Sequence, residues 1–415
     1  MSEKVLIVTV DFHKRNSWPA EDIASELEEL VTSCGGSVVS RVVCKCDKPT
    51  PNFLIGKGKV DEIAQLCLLE KIDTVIFSHD LKGSQQRNLE EIIKIKIIDR
   101  TQLILDIFAR RAKSQEGTMQ VELAQLEYLL PRLTGKGVEL SRLGGGIGTV
   151  GPGETKLEVD RRRISDRIAR LKRDLKDVSV SRKLTRKKRD DKNVATVALV
   201  GYTNAGKSTL LNALTDAHQV THDGLFTTLD PLSRQYVLPN HQKIVLSDTV
   251  GFMYELPHHL IESFKATLEE VVSADLLLHV VDVSNPRFRN LHDAVVDVLK
   301  ELESFEKPTI TIFNKIDKLT DKNWLTDLSG SFPNIAYISA LKKENLSELL
   351  EKISELLTPS VVKVNVKIPI NRMDLVNMIH NEGDVHSIEY SSDGVQISAT
   401  VPLKIANQIE FISKP

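Results

Sequence analysis

The sequence of 415 residues has no apolar run of the ~18 residues that a membrane span requires. The apolar stretch within its first ten residues is too short for a secretory signal, and no small-residue cleavage pattern follows it. Cysteine is scarce, and the four cysteines show no zinc-ligand spacing: Cys34, Cys44, Cys46 and Cys67. These absences predict a cytoplasmic protein with reduced thiols. They leave open that some of the molecules associate with a membrane.

Net charge is also small, at −2, but it is unevenly distributed. Between Arg161 and Lys192 there are 15 Lys or Arg and 5 Asp or Glu, so the rest of the chain carries a net charge of −12. We call residues 161–192 the basic arm. A solvated helix face is one interpretation of such a segment, and contact with a polyanion such as nucleic acid is the favoured one.

The length suggests about three domains, and the pattern of apolar segments predicts an α/β multidomain protein. Residues 1–112 alternate between strands and helices, which is typical of a parallel sheet covered by helices. The expected strands are Val5–Val10, Ser37–Cys44, Thr74–Phe77 and Ile97–Asp99, and the expected helices are Glu21–Thr32, Lys59–Leu69 and Ser84–Ile93.

Residues 113–192 are predicted to form a helical hairpin. Two apolar seams have coiled-coil spacing: Met119, Leu123, Leu126, Leu130 and Leu133, and then Ile164, Ile168, Leu171, Leu175 and Val178. The simplest arrangement of two such helices is antiparallel. Because seven of the eleven residues from Arg182 to Lys192 are basic, we expect a linker or a fraying helix end there.

Glycine is concentrated between the two seams, where it makes up 8 of the 19 residues from Gly135 to Gly153. The stretch Gly146-Ile147-Gly148-Thr149-Val150-Gly151 matches a dinucleotide fingerprint, but it follows a helix and a polar loop, whereas the fingerprint must follow a strand. We therefore expect a long loop at the tip of the hairpin, able to enter a narrow place on a partner.

The last two regions are a domain at residues 193–358 and a small α+β domain at residues 359–415. In the small domain we expect strands Val361–Ile368, Val385–Tyr390 and Gly394–Val401, with helices at Arg372–Asn381 and Lys404–Ile409. Nothing in its sequence indicates a chemical role.

The segment Gly201-Tyr202-Thr203-Asn204-Ala205-Gly206-Lys207-Ser208-Thr209 lies between an apolar strand, Val194–Val200, and a predicted helix. This is the context that a phosphate-binding loop requires, with backbone amides surrounding the phosphates. We expect Lys207 to contact the β- and γ-phosphates and Ser208 to ligate Mg²⁺.

Further motifs follow in the order found in Ras-like GTPases. Asp248-Thr249-Val250-Gly251 predicts a Mg²⁺ contact at Asp248 and a γ-phosphate contact at the Gly251 amide, and Thr228, after Thr227, is the expected second hydroxyl on Mg²⁺. Asp317 of Asn314-Lys315-Ile316-Asp317 can accept hydrogen bonds that guanine offers and adenine lacks. Asn314 and Lys315 would brace that site, and the Ser339-Ala340 pair would supply an amide to the guanine carbonyl. We assign catalysis to Lys207, Thr228 and Gly251.

Two residues of these motifs, one directly after Gly251 and one within the phosphate-binding loop, bear on the rate of GTP hydrolysis. Phe252 stands where Ras-type proteins carry a water-positioning glutamine, so intrinsic hydrolysis should be slow and a partner should accelerate it. The Asn204 side chain could ligate K⁺ beside the phosphates.

Several stretches make the chain resemble the HflX family of translational GTPases: Ile55-Gly56-Lys57-Gly58-Lys59, Gln86-Arg87-Asn88-Leu89-Glu90, Gly144–Gly148, Gly151-Pro152-Gly153-Glu154-Thr155, and Asp248–Phe252 with Leu256-Pro257. The resemblance implies a GTPase, monomeric when free, that binds the large ribosomal subunit, splits or recycles stalled ribosomes and hydrolyses GTP to leave. It also implies that the glycine loop contacts the ribosome through Arg142, Gly144, Gly145, Gly146, Ile147 and Gly148. A GTP-dependent switch that recruits a protein partner, or a GTPase that assists RNA modification, is the alternative.

Overall fold

The computed structural model describes residues 2–12, 18–133, 156–190, 194–215, 232–240, 242–254, 265–330, 332, 334–357, 361–369, 372–391, 394–402 and 406. The chain divides into two compact units. Residues 1–236 and 243–346 form the first, and residues 237–242 and 347–415 form the second. No helix in the described part of the chain is both long and apolar enough to cross a membrane.

The first unit begins with a four-stranded parallel sheet in the order β2-β1-β3-β4. Its strands are β1 (Lys4–Asp11), β2 (Ser37–Lys45), β3 (Thr74–Phe77) and β4 (Lys96–Asp99). The central strands β1 and β3 are buried along nearly their whole length, as expected for parallel strands covered on both faces. The predicted alternation is confirmed to within two residues at each strand boundary.

The helices of this region are α1 (Ala20–Ser33), α2 (Lys57–Glu70), α3 (Gly83–Ile93) and α4 (Arg100–Arg111). The first three were expected from the sequence, and α4 was not. It starts immediately after β4, where Asp99 caps it by accepting a hydrogen bond from the Gln102 amide at 2.9 Å. A strand that passes directly into a helix has no glycine or proline to mark the boundary.

Helix α5 (Gln115–Leu129) carries the first three residues of the first seam, and its last two lie in the 3-10 helix Leu130–Leu133. Helix α6 (Lys156–Asp190) carries the second seam. Ion pairs join them, Arg167 to Glu122 at 2.7 Å and Lys172 to Glu127 at 2.7 Å, and Leu171 of the second seam is buried. After Arg182, where we expected a linker or a fraying helix end, the chain is helix up to Asp190, in agreement with the second alternative. Lys and Arg are good helix formers, so a lack of apolar residues does not end a helix. The glycine loop lies outside the described residues.

A six-stranded sheet completes the first unit in the order β10-β9-β8-β5-β7-β6. Its strands are β5 (Ala195–Gly201), β6 (Leu232–Val237), β7 (Lys243–Asp248), β8 (Leu276–Asp282), β9 (Thr309–Asn314) and β10 (Ile335–Tyr337), and its helices are α7 (Lys207–Thr215), α8 (Lys265–Ser273) and α9 (Phe288–Glu301). Neighbouring strands from β10 to β7 are parallel. The loops after β5, β7, β9 and β10 therefore meet at one edge of the sheet.

The second unit contains α10 (Leu346–Leu357), most of which belongs to it, α11 (Met373–Glu382) and a three-stranded antiparallel sheet. The strands β11 (Val361–Ile368) and β12 (Asp384–Ser391) both pair with β13 (Gly394–Pro402). Ile379 and Leu375 of α11 pack on Ile397 and Val395 of the sheet. The α+β character expected for this region is confirmed, while all but one residue of the expected last helix lies outside the described residues.

Candidate nucleotide-binding site

The phosphate-loop segment connects β5 to α7, as its sequence context predicts. Two of its glycines have no room for a side chain. At Gly201, a Cβ atom would lie 2.3 Å from the carbonyl oxygen of Val280, and at Gly206, where φ is +98°, it would lie 2.3 Å from Nδ2 of Asn314. The loop is therefore pressed against both β8 and the residue that ends β9.

Lys207 begins α7 and is buried under the loop. Its ammonium donates to the carbonyl oxygens of Gly201 at 3.1 Å and Tyr202 at 2.8 Å. Burial lowers the pKa of Lys207 to about 8, an effect that Asp248 opposes and Lys315 reinforces. At neutral pH most molecules still carry the positive charge that a phosphate group would bind.

Ser208 and Asp248 bring oxygen donors together beside Lys207. The Ser208 hydroxyl donates to Oδ2 of Asp248 at 2.6 Å, although the two residues are 40 positions apart. Asp248 ends β7, and β7 pairs with β5 so that Asp248 lies opposite Leu199. A hydroxyl and a carboxylate form the all-oxygen donor set that Mg²⁺ prefers, so the residues present fit this ion. Thr227 and Thr228 lie outside the described residues.

Asn314 links two of the loops that meet at this edge of the sheet. Its Nδ2 donates to the Ala205 carbonyl at 2.9 Å, and its Oδ1 accepts from the Ala340 amide at 3.0 Å. One buried side chain thus ties the phosphate loop to the loop after β10. That Asn314 also braces the base site stays a prediction.

Lys315 and Asp317 follow the end of β9, where we expect the base to bind. Lys315 donates to the Asn204 carbonyl at 2.8 Å and pairs with Asp282 at 2.7 Å. Oδ1 of Asp317 accepts from the Ser339 hydroxyl at 2.6 Å. The Asp317 carboxylate is therefore oriented by a neighbour, while its other oxygen can accept from a base.

Asp282 was not singled out from the sequence. It is the last residue of β8 and lies opposite Asn314 of β9, so both occupy the edge of the sheet where the motifs meet. Its position in the sequence could have identified it, because Asp282, like Asp248, is an acidic residue at the end of an apolar strand.

The segment Val250–Tyr254, which we call the switch segment, lies on the phosphate loop. The Phe252 amide donates to the Gly201 carbonyl at 3.0 Å, and the Thr203 amide donates to the Phe252 carbonyl at 2.8 Å. The side chain of Phe252 is buried. A phenyl ring in that position has no group that could orient a water molecule by hydrogen bonding.

The fold and the site define a P-loop GTPase. Three family models match the chain: "GTP-binding GTPase N-terminal" over residues 21–109, "GTP-binding GTPase Middle Region" over residues 111–189, and "50S ribosome-binding GTPase" over residues 196–315. The last range contains the phosphate loop, the switch segment and Asn314-Lys315.

Curated relatives give the family. The chain is 46% identical over 389 residues to the GTPase HflX of Caldanaerobacter subterraneus, covering 94% of this chain and 90% of that protein. It is 42% identical over 350 residues to the GTPase HflX of Escherichia coli, covering 84% and 82%. The chain belongs to the HflX family of GTPases, and the GTPase activity expected from its motifs is confirmed.

Among solved structures, a crystal structure of a GTP-binding protein from Sulfolobus solfataricus in complex with GDP is similar to the chain. The two are 26% identical, with a TM-score of 0.44 over 86% of this chain and 99% of that chain.

Proposed function

We propose that this GTPase binds the large ribosomal subunit in its GTP form, splits or recycles stalled ribosomes, and is released when GTP is hydrolysed. The observation that carries the proposal is the exposed row of basic side chains on α6: Arg163, Arg170, Arg173 and Lys176. Such a row suits the phosphates of ribosomal RNA. The family model described as a 50S ribosome-binding GTPase supports the same partner.

In this proposal GTP occupies the edge of the sheet where β5, β7, β9 and β10 end. Lys207 binds the β- and γ-phosphates, and Gly251 donates its amide to the γ-phosphate. Ser208 and Asp248 would hold the Mg²⁺ ion, which would offset the charge of the phosphates. Thr228 is the expected second hydroxyl, and Phe252 leaves the attacking water without a side-chain partner. Hydrolysis is therefore slow until the ribosome supplies the missing interaction.

The ribosome proposal is tested by sedimentation of the full chain with purified ribosomes. We expect co-migration with the large subunit in a non-hydrolysable GTP analogue and not in GDP. The double variant Arg170→Glu/Arg173→Glu should weaken binding and reduce the slope of log affinity against log salt by about one unit for each phosphate that the protein no longer neutralises. The matched control is Lys48→Glu/Lys322→Glu, which makes the same charge change at exposed lysines away from α6.

If the protein stays at the top of the gradient in every nucleotide state, the ribosome is not its partner. A protein partner, or a role in RNA modification, would then be the better proposal. If the α6 variant is instead retained on the subunit with an unchanged salt slope, the basic row does not contact the ribosome. Subunit splitting is followed in the same gradients as conversion of whole ribosomes into separated subunits.

We also propose K⁺ as a second cofactor, bound by Asn204. The Asn204 side chain is exposed at the phosphate loop, where φ is +60° and its carbonyl already accepts from Lys315. A cation there would place positive charge close to the transferring phosphate. We expect GTP hydrolysis to be about tenfold faster in potassium than in sodium chloride.

The variant Asn204→Gly should abolish this difference, because glycine keeps the left-handed backbone and removes the ligand. Asn52→Ala, at an exposed position of the first domain, is the control. Equal hydrolysis rates in the two salts for the unaltered protein would contradict the K⁺ site.

A further inference from the structure

A buried polar cluster joins the N-terminal domain to the phosphate loop and the switch segment. The Tyr202 hydroxyl donates to Oε1 of Glu26 at 2.9 Å and accepts from the Tyr254 amide at 2.8 Å. Nη2 of Arg100 contacts the same Glu26 oxygen at 3.1 Å and also donates to the Tyr254 carbonyl. We call Glu26, Arg100, Tyr202 and Tyr254 the Tyr202 cluster.

The cluster is shielded from water. Glu26, Arg100 and Tyr202 are each 7% exposed, and the ring of Trp18 stacks on Tyr254 at 4.4 Å between centroids. A hydrogen bond to an ionised carboxylate is stronger than one between neutral groups, and burial removes competing water. Burial, together with the nearby charge of Glu26, raises the pKa of Tyr202 well above its ordinary value, so its hydroxyl remains a donor.

Through Tyr254 the cluster holds the switch segment where a terminal phosphate would bind. The Phe252 carbonyl already accepts a hydrogen bond from the Thr203 amide of the phosphate loop. A Cβ atom on Gly251 would lie 2.9 Å from Cα of Thr203 and 3.1 Å from Nζ of Lys207. The Gly251 backbone is thus packed against the two groups that a γ-phosphate needs, a loop amide and the lysine ammonium.

We propose that the Tyr202 hydroxyl, held by Glu26 and Arg100, is a positioning group that sets the preference between GDP and GTP. The cluster stabilises the packed arrangement, which obstructs a third phosphate where Gly251 lies against Thr203 and Lys207 and leaves the rest of the loop for a diphosphate. GTP must therefore displace the switch segment against the cluster. The inference rests on the phosphate-loop roles given in the proposed function.

The sign of the effect follows from linkage between the two arrangements. The cluster favours the packed arrangement of the switch segment by some equilibrium factor. A ligand that binds only when the segment is displaced has its affinity lowered by that same factor. Weakening the cluster therefore raises the affinity for GTP and leaves the affinity for GDP nearly unchanged. The same linkage means that bound GTP loosens the contact between Tyr202 and the N-terminal domain.

The test uses the full chain with Tyr202→Phe, which removes the hydroxyl and keeps the ring. Dissociation constants for GDP and for a non-hydrolysable GTP analogue are measured by equilibrium titration without ribosomes. We expect the ratio of the GDP to the GTP-analogue dissociation constant to rise about tenfold, the size of effect expected for removing a hydrogen bond to a charged group. Glu26→Gln should move the ratio in the same direction.

Two controls separate positioning from general loss of structure. Tyr337→Phe removes a hydroxyl that donates to the Leu325 carbonyl, away from the phosphate loop. Glu28→Gln changes a partly exposed residue of α1 that pairs with Arg41. Neither should change the ratio. A thermal unfolding scan of each variant shows that it is folded at the temperature of the titration.

An unchanged ratio in both Tyr202→Phe and Glu26→Gln, with both nucleotides still bound, would overturn the proposal. An equal loss of affinity for both nucleotides would also overturn it, since that is the signature of a structural role. If the ribosome assignment is wrong, the sedimentation experiment shows this separately. The shift in the ratio of dissociation constants would then persist.

Discussion

Replacing Asp317 by Asn is expected to lower the affinity for GTP by about 10²- to 10⁴-fold and to give the site to xanthosine triphosphate. The Asp317 carboxylate is fixed by the Ser339 hydroxyl at 2.6 Å and would accept from N1 and N2 of guanine. Each hydrogen bond to a charged group contributes about 1.5–3 kcal/mol, so losing two gives the stated range. The 2-oxo group of xanthine accepts a hydrogen bond, which the introduced side-chain amide would donate.

The measurement is a pair of titrations, with GTP and with xanthosine triphosphate, on each variant. Asp297→Asn is the matched control, because Asp297 is an exposed residue of α9 that pairs with Lys300. It should bind GTP as the unaltered protein does. GTP affinity within threefold of the unaltered value in the Asp317 variant would mean that this carboxylate does not contact the base.

The second large effect is expected from Gly206→Ala. With φ at +98°, a Cβ atom would be placed 2.3 Å from Nδ2 of Asn314, which donates to the Ala205 carbonyl. The unfavourable backbone costs about 1–2 kcal/mol, and displacing Asn314 costs about 1–3 kcal/mol more because its buried partners lose their hydrogen bonds. Nucleotide affinity should fall about 30- to 5,000-fold.

Gly58→Ala is the control for this substitution. Gly58 lies in α2, and a Cβ atom added there would have no neighbouring atom within 4 Å. Alanine favours a helix by about 1 kcal/mol over glycine, so this variant should fold and bind nucleotide normally. Nucleotide titration and thermal unfolding are measured on both variants. A Gly206→Ala protein that binds GDP as tightly as the unaltered chain would show that the loop tolerates a side chain at this position.

Much of the fold followed from local patterns. Strands β1, β3 and β5 are apolar runs, and their limits were predicted to within a residue. Helix α4 was missed because β4 runs into it with no turn residues between them. The end of α6 was left open between a linker and a fraying helix end, because charged residues with high helix propensity continue a helix without an apolar face.

The functional motifs were predictable for a related reason. Gly201–Ser208, Asp248–Gly251 and Asn314–Asp317 are contiguous in the sequence, and each follows a recognisable strand. Parallel strands bring their carboxyl ends to one edge, so the meeting of these motifs could be inferred before any distance was known. The contacts between Asn314 and both Ala205 and Ala340 agree with that inference.

The sequence by itself determined that this is a GTPase and which base its motifs suit, because those functions depend on short segments with fixed spacing. Only the tertiary structure decided that Tyr202 of the phosphate loop bonds to Glu26, 176 positions earlier in the chain. That contact requires α1 of the first sheet to pack against the edge of the second. No local spacing encodes such packing, because it arises when two separately formed sheets bury their surfaces against each other.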